Sequence, residues 1–444
     1  MFLTQAKLRF KSVSTAVVGA GRSGRAAAEL LRAVGSEVEV LDDMAGPGRR
    51  PIETRAIERA RYVILSPGVP RNRPELRSAL AEGRLLGEVD LAAAFLPVPM
   101  VGVTGTNGKS TTTALIGAIL EGAGRRPWVG GNLGPPVSSL ALRFVAEDDP
   151  EIGLAVLELS SFQLESISEA RFEVGVWLNL SQDHVERYPN METYGRAKRR
   201  LLELRRSSGT GILNAEDAYV VSMSKGLQGK LRWFSGRTWR GIGTGFIEGS
   251  LIRRMGEEVE RFPLHRFPLP GRHNIENASA AVESVRTLGV SAPLAQRGLE
   301  DFLGLPHRLE TIPSRDGRRW INDSKATNVD AALTALKSFD GRLTLILGGR
   351  SKGASYEPLI ERAEASEVQR IYALGEAGPE IVAAFAGRVE VELVPDLARA
   401  VAAAAKAASE GSTVLLSPAC SSFDQYPNFE ARGDDFRRLV RDLS

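Results

Sequence analysis

The sequence contains one cysteine, Cys420, in 444 residues, so the chain cannot form an internal disulfide. We therefore expect a reducing compartment, the cytoplasm. A long apolar run is also lacking: the longest, LAAAFLPVPMVGV, is interrupted by Pro97 and Pro99, so no membrane-spanning helix is expected. The N-terminal segment MFLTQAKLRFKSVS has scattered charges and no apolar core, which argues against a signal peptide.

Neither sign of charge dominates. Lys and Arg number 57 against 54 Asp and Glu, a formal net charge of +3. No basic patch interleaved with aromatic residues accompanies them, so nucleic acid is not an expected partner. Hydrophobic residues at 43% and charged residues at 25% are typical of a soluble globular protein. A chain of 444 residues is too long to fold around one hydrophobic core, so we expect several domains.

Three segments begin with an apolar strand and a glycine-rich turn, opening with STAVVGAGRSG, MVGVTG and LTLILGG. Strands and helices alternate within each, which predicts an α/β fold with mostly parallel sheets. We expect an N-terminal Rossmann-like domain over residues 1–94, a central P-loop ATPase-type domain over 95–304 and a C-terminal Rossmann-like domain over 305–444. A β-rich portion is predicted for 205–270, followed by a long helix capped by Gly289.

The stretch VGVTGTNGKSTTTALIG, residues 101–117, predicts a strand, a phosphate-binding loop and a helix. It departs from the common pattern because Val103 stands where that pattern has glycine. Gly105 and Gly108 still permit close approach of the backbone to a phosphate. The helix N-terminus and Lys109 would add positive potential. The alternative is a glycine-rich turn with an exposed lysine.

Candidate Mg²⁺ ligands lie near this loop. The hydroxyls of Ser110 and Thr111 open the helix, and Glu158 ends the next apolar strand, LAVLE. The guanine-reading pattern N-K-x-D is absent, which counts against a GTPase switch. The sequence thus predicts binding of nucleotide phosphate.

A second glycine motif, G-x-G-x-x-G, lies at Gly19, Gly21 and Gly24. Asp42 or Asp43 follows at about the distance expected for a contact to a ribose hydroxyl. A dehydrogenase is therefore a competing interpretation, although no hydride-transfer residues suggest themselves. The glycines establish only that a phosphate-bearing ligand could dock here.

Seven motifs occur in a fixed order along the second and third segments: GVTGTNGKSTT, LELSSFQL, NLSQDHVERY, GRHNIENASAA, GLPHRLE, WINDSKATN and LLSPACSSFDQYPNFEARG. Together they resemble the Mur ligases, and with the first segment the resemblance covers nearly the whole chain. It implies transfer of the ATP γ-phosphoryl group to the carboxylate of UDP-N-acetylmuramoyl-L-alanine, and attack on the acyl phosphate by the amine of D-glutamate. It also implies two Mg²⁺ ions and a CO₂-derived carbamate on a lysine.

The resemblance assigns roles residue by residue. The implied ATP site comprises Gly105, Thr106, Asn107, Gly108, Lys109, Ser110, Thr111, Asn274, Asn277, Arg308, Asp323 and Lys325. The implied metal ligands are Ser110, Glu158, His184 and Lys198 as its carbamate. Lys109, Glu158, His184 and Lys198 are the implied catalytic residues.

The two acceptor substrates are assigned in the same way. Implied contacts to the UDP substrate are Arg22, Ser23, Asp42, Asp43, Ser66, Pro67, Gly68, Asn132 and His184. Implied contacts to D-glutamate are Thr327, Lys352, Ser422, Phe423 through its backbone, and Phe429. The segment LDDMAGPG lacks a Thr-Arg pair found in some members, and we hypothesise that Arg22 or a neighbouring arginine compensates.

Several residues have competing interpretations. By itself, a lone histidine on a polar loop, such as His184, is more often structural or solvated than a ligand, and only the motif around it favours a ligand. Lys198 lies among Arg196, Arg199 and Arg200, a run that by itself predicts a solvated basic face. The resemblance instead makes Lys198 the carbamylated lysine, which requires a neutral amine and hence a depressed pKa. For Cys420 we expect a buried or loop-lining thiol and no nucleophilic role.

Alternative functions remain at this point. One is a sister ligase, or a folylpolyglutamate synthetase-like enzyme, using another amino acid. Another is a nucleotide-dependent binding protein without turnover. The expected partners are small-molecule substrates, and the expected state is a monomer.

Overall fold

The computed structural model describes residues 2–44, 48–147, 150–184, 187–314 and 316–443. The chain forms two compact units, Met1–Phe267 with Ile275–Phe302, and Pro268–Asn274 with Leu303–Ser444. Three sheets, mostly of parallel strands, confirm the predicted α/β class. The division at residues 94 and 304 stays a prediction. Within the described residues, no helix is both long and apolar enough to cross a bilayer.

The first unit contains two sheets, of which the N-terminal one has four parallel strands in the order β2-β1-β3-β4. The strands are β1 Ser14–Val18, β2 Glu37–Leu41, β3 Tyr62–Leu65 and β4 Leu85–Gly87. The helices are α1 Phe2–Phe10, α2 Arg22–Ala33, α3 Thr54–Arg59, α4 Arg77–Ala81 and α5 Glu88–Ala93, with a 3-10 turn at Pro74–Leu76. Apolar runs such as STAVV are buried because helices cover parallel sheets on both faces.

The second sheet has nine strands in the order β13-β12-β11-β10-β9-β8-β5-β7-β6. The strands are β5 Met100–Thr104, β6 Pro127–Gly131, β7 Leu154–Glu158, β8 Phe172–Trp177, β9 Arg205–Asn214, β10 Lys230–Phe234, β11 Gly243–Ile247, β12 Ser250–Met255 and β13 Glu258–Pro263. Only the β11-β12 and β12-β13 pairs are antiparallel. The predicted β-rich portion over 205–270 is confirmed.

The helices of this part are α6 Lys109–Gly122, α7 Val137–Ala146, α8 Ser161–Ser166, α9 Met191–Glu203, α10 Ala218–Met223, α11 Arg272–Thr287 and α12 Ala292–Asp301. The predicted end of α11 at Gly289 is confirmed: Gly289 has φ +81° and its N–H donates to Arg286 O.

Two buried carboxylates of α5 hold the N-terminal sheet against the second sheet. Asp90 accepts four hydrogen bonds from residues 168–170, from the backbone N–H groups of Ser168, Glu169 and Ala170 and from the Ser168 hydroxyl, at 2.7–2.9 Å. Glu88 accepts the Ser138 N–H at the start of α7, at 2.6 Å. One hydrophobic cluster also continues from α2 of the first sheet to α7 beside the second.

The second unit contains a six-stranded sheet in the order β14-β15-β19-β16-β17-β18, parallel except for the β14-β15 pair. The strands are β14 Glu310–Ile312, β15 Arg319–Asn322, β16 Leu343–Gly348, β17 Val368–Leu374, β18 Val391–Leu393 and β19 Thr413–Leu416. The helices are α13 Val329–Leu336, α14 Glu357–Glu364, α15 Gly378–Phe385, α16 Leu397–Ala407 and α17 Phe429–Arg441.

Candidate active site

The glycine-rich loop joins β5 to α6 at the carboxyl edge of the second sheet. Gly105 has φ +158° and Gly108 has φ +82°, conformations that other residues rarely adopt. A Cβ at Gly108 would also lie 2.4 Å from Asn277 Oδ1. Val103 is a fully buried strand residue paired with Glu158, so the loop begins after it. The missing glycine therefore does not prevent the turn.

Lys109 and Lys198 converge on one carbonyl oxygen of this loop. Lys109 Nζ donates to Gly105 O at 2.8 Å and to Thr106 O at 2.7 Å. Lys198 Nζ, from α9, donates to the same Gly105 O at 2.8 Å. The structure thus brings two predicted catalytic lysines together, with Ser110 and Thr111 buried beside them at the start of α6.

Lys198 is only 1% exposed, so the prediction of a solvated basic face is wrong for this residue. Its Nζ also lies 4.5 Å from the centroid of the Tyr194 ring. Burial, and next the charge of Lys109, lower the pKa of Lys198 well below its ordinary value. Both effects favour the neutral amine at this position over the ammonium form.

Glu158 ends β7 with its side chain buried beside Asn132, a predicted substrate contact. Asn132 Nδ2 donates to Glu158 Oε1 at 2.7 Å. Glu158 Oε2 is buried and has no hydrogen-bond partner among the described residues. An orphaned buried carboxylate oxygen is the kind of group that a cation satisfies. The geometry places Asn132 against the candidate metal ligand.

His184 lies beside the aromatic rings of Phe162 and Tyr194. It has φ +53°, its ring is 4.7 Å from that of Phe162 and 6.1 Å from that of Tyr194, and its Nε2 is 3.7 Å from Asp183 Oδ2. Tyr194 therefore contacts both His184 and Lys198. Among the described residues, no three His, Cys, Asp or Glu side chains form a metal cluster; the expected ligands include a hydroxyl and a modified lysine instead.

Two residues of this part of the site were missed in the sequence. Asn179 Oδ1 accepts the backbone N–H groups of Thr106 and Asn107, at 2.9 and 2.8 Å, and so fixes the phosphate loop. The hydroxyl of Tyr194, in α9, lies 3.5 Å from Thr106 Oγ1. Their presence within or near the motif NLSQDHVERY was the available signal.

The two asparagines predicted at the adenine are both buried. Asn277 Oδ1 accepts the Thr112 hydroxyl at 3.1 Å, which places it beside the first turn of α6. Asn274 Nδ2 donates to Pro270 O at 2.7 Å.

The glycine turn of the N-terminal sheet gathers several predicted UDP-substrate residues. Asp42 accepts the N–H of Ala20 at 2.5 Å and that of Met44 at 2.9 Å, and these bonds lower its pKa. Ser66 Oγ donates to Gly19 O at 2.7 Å. Both carboxylate oxygens of Asp42 thus accept hydrogen bonds from backbone N–H groups of the protein itself.

The other UDP-substrate residues are more exposed. Asp43 pairs with Arg73, a residue that sequence reasoning missed, at 2.5 Å. Arg22 Nη1 lies 3.3 Å from Gly134 O, in the loop that contains Asn132. Ser23 and Pro67 are half-buried and Gly68 is exposed.

In the second unit, Asp323 is buried at the end of β15 and accepts the Ser417 hydroxyl at 2.9 Å and the Leu309 N–H at 3.2 Å. Burial raises the pKa of Asp323 to about 7, although the positive charge of Arg308 acts to lower it. Arg308 Nε is buried without a hydrogen-bond partner among the described residues. Asp323 and Arg308, two of the predicted ATP-site residues, thus lie close together.

Arg432 connects the loops that contain the predicted D-glutamate residues, and the sequence did not single it out. It is 2% exposed, and its guanidinium donates to the Ser324 hydroxyl and carbonyl and to the carbonyls of Cys420 and Gly348, at 2.9–3.4 Å. Burial lowers the pKa of Arg432 to about 10. This buried cation therefore fixes three loops at the carboxyl edge of the sheet.

The predicted D-glutamate residues differ in exposure. Ser422 is buried, Thr327 and Phe429 are half-buried, Lys352 is exposed and the Phe423 side chain is 63% exposed. Lys325 Nζ lies 5.4 Å from the centroid of the Phe429 ring. Cys420 is buried as predicted, with Sγ 3.3 Å from the Tyr356 hydroxyl.

Sequence comparison adds independent information. Residues 103–285 match the Mur ligase middle domain, and residues 307–420 match the Mur ligase glutamate ligase domain. The chain is 40% identical to UDP-N-acetylmuramoylalanine--D-glutamate ligase of Myxococcus xanthus, over 96% of this chain and 98% of that protein. The protein of the same name from Anaeromyxobacter dehalogenans is 41% identical over 97% of this chain and 98% of its own length.

Solved structures share the fold at low sequence identity. MurF ligase from Thermotoga maritima in complex with ADP has a TM-score of 0.63 and 15% identity, covering 99% of this chain and 97% of that one. A pseudomurein peptide ligase type C from Methanothermus fervidus has a TM-score of 0.61 and 18% identity, covering 97% of this chain and 100% of that one.

Proposed function

This chain belongs to the Mur ligase family. We propose that it joins D-glutamate to UDP-N-acetylmuramoyl-L-alanine in a reaction that converts ATP to ADP and phosphate. The γ-phosphoryl group passes to the alanyl carboxylate. The D-glutamate amine then attacks the acyl phosphate, forming an amide and releasing phosphate. The relatives support the choice of substrates, and the geometric observation that best supports the phosphoryl-transfer step is the convergence of Lys109 and Lys198 on Gly105 O.

The first step brings two anions together, so its barrier depends on local positive charge. Lys109 and the N-terminus of α6 would hold the β- and γ-phosphates, with Thr106 and Asn107 forming the turn. To reach a phosphate, Lys109 Nζ would exchange its two loop carbonyls for phosphate oxygens. Those carbonyls hold the ammonium in place before ATP binds, which limits the entropy lost on binding.

We propose that Ser110, Glu158 and His184 hold Mg²⁺, together with a carbamate on Lys198. The unpartnered buried Oε2 of Glu158 fits such an ion. The chemistry that Mg²⁺ supplies when bound is neutralisation of charge between the phosphoryl group and the carboxylate. Asn132, through its bond to Oε1, would orient the Glu158 carboxylate while contacting the muramoyl substrate.

The carbamate would form when the neutral Lys198 amine bonds to the carbon of CO₂ and loses a proton. The depressed pKa of Lys198 supplies the neutral amine. The present bond from Nζ to Gly105 O and the contact with the Tyr194 ring suit an amine or ammonium, and an anionic carbamate would move away from both. Modification thus implies a local rearrangement of this side chain.

We assign residues 1–94 to the UDP substrate, 95–304 to ATP and the reacting carboxylate, and 305–444 to D-glutamate and ATP. UDP contacts would come from Arg22, Ser23, Asp42, Asp43 and the turn at Ser66–Gly68. Adenosine contacts would come from Asn274, Asn277 and Asp323, and phosphate contacts from Arg308 and Lys325. D-Glutamate contacts would come from Thr327, Lys352, Ser422, Phe423 and Phe429.

ADP release tests the function directly. The purified chain is given ATP, Mg²⁺ and UDP-N-acetylmuramoyl-L-alanine with one amino acid at a time, including D-glutamate, L-glutamate, L-alanine and a diamino acid. We expect ADP release only with D-glutamate. Release with a different amino acid would establish a sister ligase, and ATP binding without release would establish a binding protein.

A further inference from the structure

A large groove lies on the outer face of α9, outside the proposed reaction centre. It has a volume of about 1070 Å³ and is lined by Arg71 and Asn72 after β3, by α8, by residues 187–189, by α9 and by α10. Lys198 is not among the lining residues, because the helical repeat turns it away from the groove. The ligand contacts proposed above therefore leave this groove without a role.

Five arginines and three glutamates line the groove. Each glutamate is already paired: the ion pairs are Arg187 with Glu165, Arg196 with Glu192, and Arg199 with Glu203. Arg71 and Arg200 form no ion pair with any described residue. Among the described lining residues, the arginines therefore exceed the glutamates by two, and the two without an ion pair are Arg71 and Arg200.

Arg71 and Arg200 come from different parts of the fold but meet at one place, the C-terminal end of α8. Arg71 Nη1 donates to Glu165 O at 2.7 Å, and Arg200 Nε donates to Leu164 O at 2.9 Å. Arg200 Nη2 donates to Ile167 O. These carbonyls orient both guanidiniums but supply only partial negative charge.

The electrostatics of Arg71 are unfavourable in the protein alone. Its Nε is buried and has no hydrogen-bond partner among the described residues. Burial, and next the charge of Arg200, lower the pKa of Arg71, and the charges of Glu165 and Asp90 oppose this only in part. A half-buried guanidinium beside a like charge is stabilised by an oxyanion that contacts both side chains.

We propose that this groove binds a phosphate group between Arg71 and Arg200, at a site separate from the ATP loop. Guanidinium groups match the oxygens of a phosphate in a bidentate manner, and two of them match its double charge. The volume exceeds that of a phosphate and would admit a phosphorylated metabolite as large as a nucleotide. The binding does not depend on the proposed function of the chain.

Calorimetry with pyrophosphate tests the site. The Lys109→Ala variant removes the main phosphate contact of the loop, and one of the pyrophosphate sites that it retains should depend on Arg71. Adding Arg71→Met to that variant should weaken this site by roughly tenfold or more, the effect of losing about 1.4 kcal/mol. Adding Arg196→Met instead is the matched control: Arg196 lines the same groove but is exposed and paired with Glu192, so affinity should stay within about twofold.

Circular dichroism and the thermal midpoint of each variant verify folding, and Arg71→Lys replaces Arg71→Met if the latter unfolds. A lysine at position 71 keeps the positive charge but loses the paired N–H donors of the guanidinium, so Arg71→Lys should still bind pyrophosphate more weakly. Equal pyrophosphate affinity with and without the Arg71 substitution, or no binding to Lys109→Ala, would overturn the proposal. The same measurement with a sugar phosphate distinguishes the two kinds of ligand. If the sugar phosphate binds more tightly than pyrophosphate, the ligand is a phosphorylated metabolite. If the sugar phosphate binds more weakly, the ligand is the inorganic anion.

Discussion

At the scale of single residues, Lys198 shows how burial changes the chemistry of a side chain. In sequence it is one cation in a run of four, whereas in the fold it is buried against Tyr194 and the phosphate loop. Arg196, two residues before Lys198, is exposed and forms an ion pair with Glu192. Only the lysine therefore has an environment that favours a neutral amine.

We predict that Lys198→Ala reduces the rate of ADP release by roughly 100-fold or more, since the proposed metal ligand is lost. Arg196→Ala is the control and should retain nearly full activity. Mass spectrometry under added bicarbonate should find the mass of one CO₂ on Lys198 in the wild type. A fully active Lys198→Ala variant would contradict the proposed role.

Asp323 gives a pH-dependent prediction. Its folded-state pKa is about 7, above the ordinary value of 3.8, because it is buried. The folded protein thus holds this proton more tightly than the unfolded chain, so the contribution of Asp323 to stability falls as pH rises from about 4 to about 7. The thermal midpoint of the wild type relative to Asp323→Asn should therefore be lower at pH 8 than at pH 5. An unchanged difference between the two midpoints would refute this.

At the scale of elements, the chemistry lies on loops at the carboxyl ends of parallel strands. The phosphate loop follows β5 and Glu158 ends its neighbour β7, so register alone brings them together. In the third sheet, the loops after β15, β16 and β19 meet around Arg432. One side chain of α17 thus orients loops that are distant in sequence.

Arg432→Met should lower the free energy of unfolding by about 1–3 kcal/mol, because buried carbonyls lose their donor. It should also raise the KM for D-glutamate more than the KM for ATP, since it disturbs the loops of Thr327, Lys352 and Ser422. Arg441→Met, in the exposed last turn of the same helix, should change neither quantity. A D-glutamate KM equal to that of the wild type would show that Arg432 acts on stability alone.

The elements were predictable from sequence to different degrees. Alternating apolar strands and helices gave the α/β class, and Gly105, Gly108 and Lys109 gave the phosphate loop because local spacing determines it. Arg432 was not predictable, since its partners are fixed only by long-range packing. Asn179 lies in one of the quoted motifs, but its contact with the phosphate loop also depends on long-range packing. Asp42 was predicted as a ligand contact, while the structure also uses it to hold the glycine turn.

At the scale of the whole molecule, the first unit combines two sheets through the α5 carboxylates Asp90 and Glu88. Asp90 is fully satisfied by its four donors, whereas Glu88 Oε2 is buried without a partner among the described residues. Burial correspondingly raises the pKa of Glu88. The two acids therefore contribute differently to stability.

Asp90→Asn should destabilise the protein by about 1–3 kcal/mol, because an amide nitrogen cannot accept the Ser168 N–H. Glu88→Gln is the contrasting variant: it keeps an oxygen for Ser138 and removes an unfavourable buried charge, so stability at pH 8 should hold or rise. Denaturant unfolding of both variants measures these effects. A loss of stability in Glu88→Gln equal to that in Asp90→Asn would contradict this account.

The central claim is that the alanyl carboxylate of the UDP substrate is phosphorylated before the amide forms. We would label both oxygens of that carboxylate with ¹⁸O, run the reaction with ATP and D-glutamate, and analyse the released phosphate by mass spectrometry. An acyl phosphate predicts transfer of one labelled oxygen to each phosphate, with the other retained in the new amide. Phosphate released without label, while amide is formed, would contradict the account.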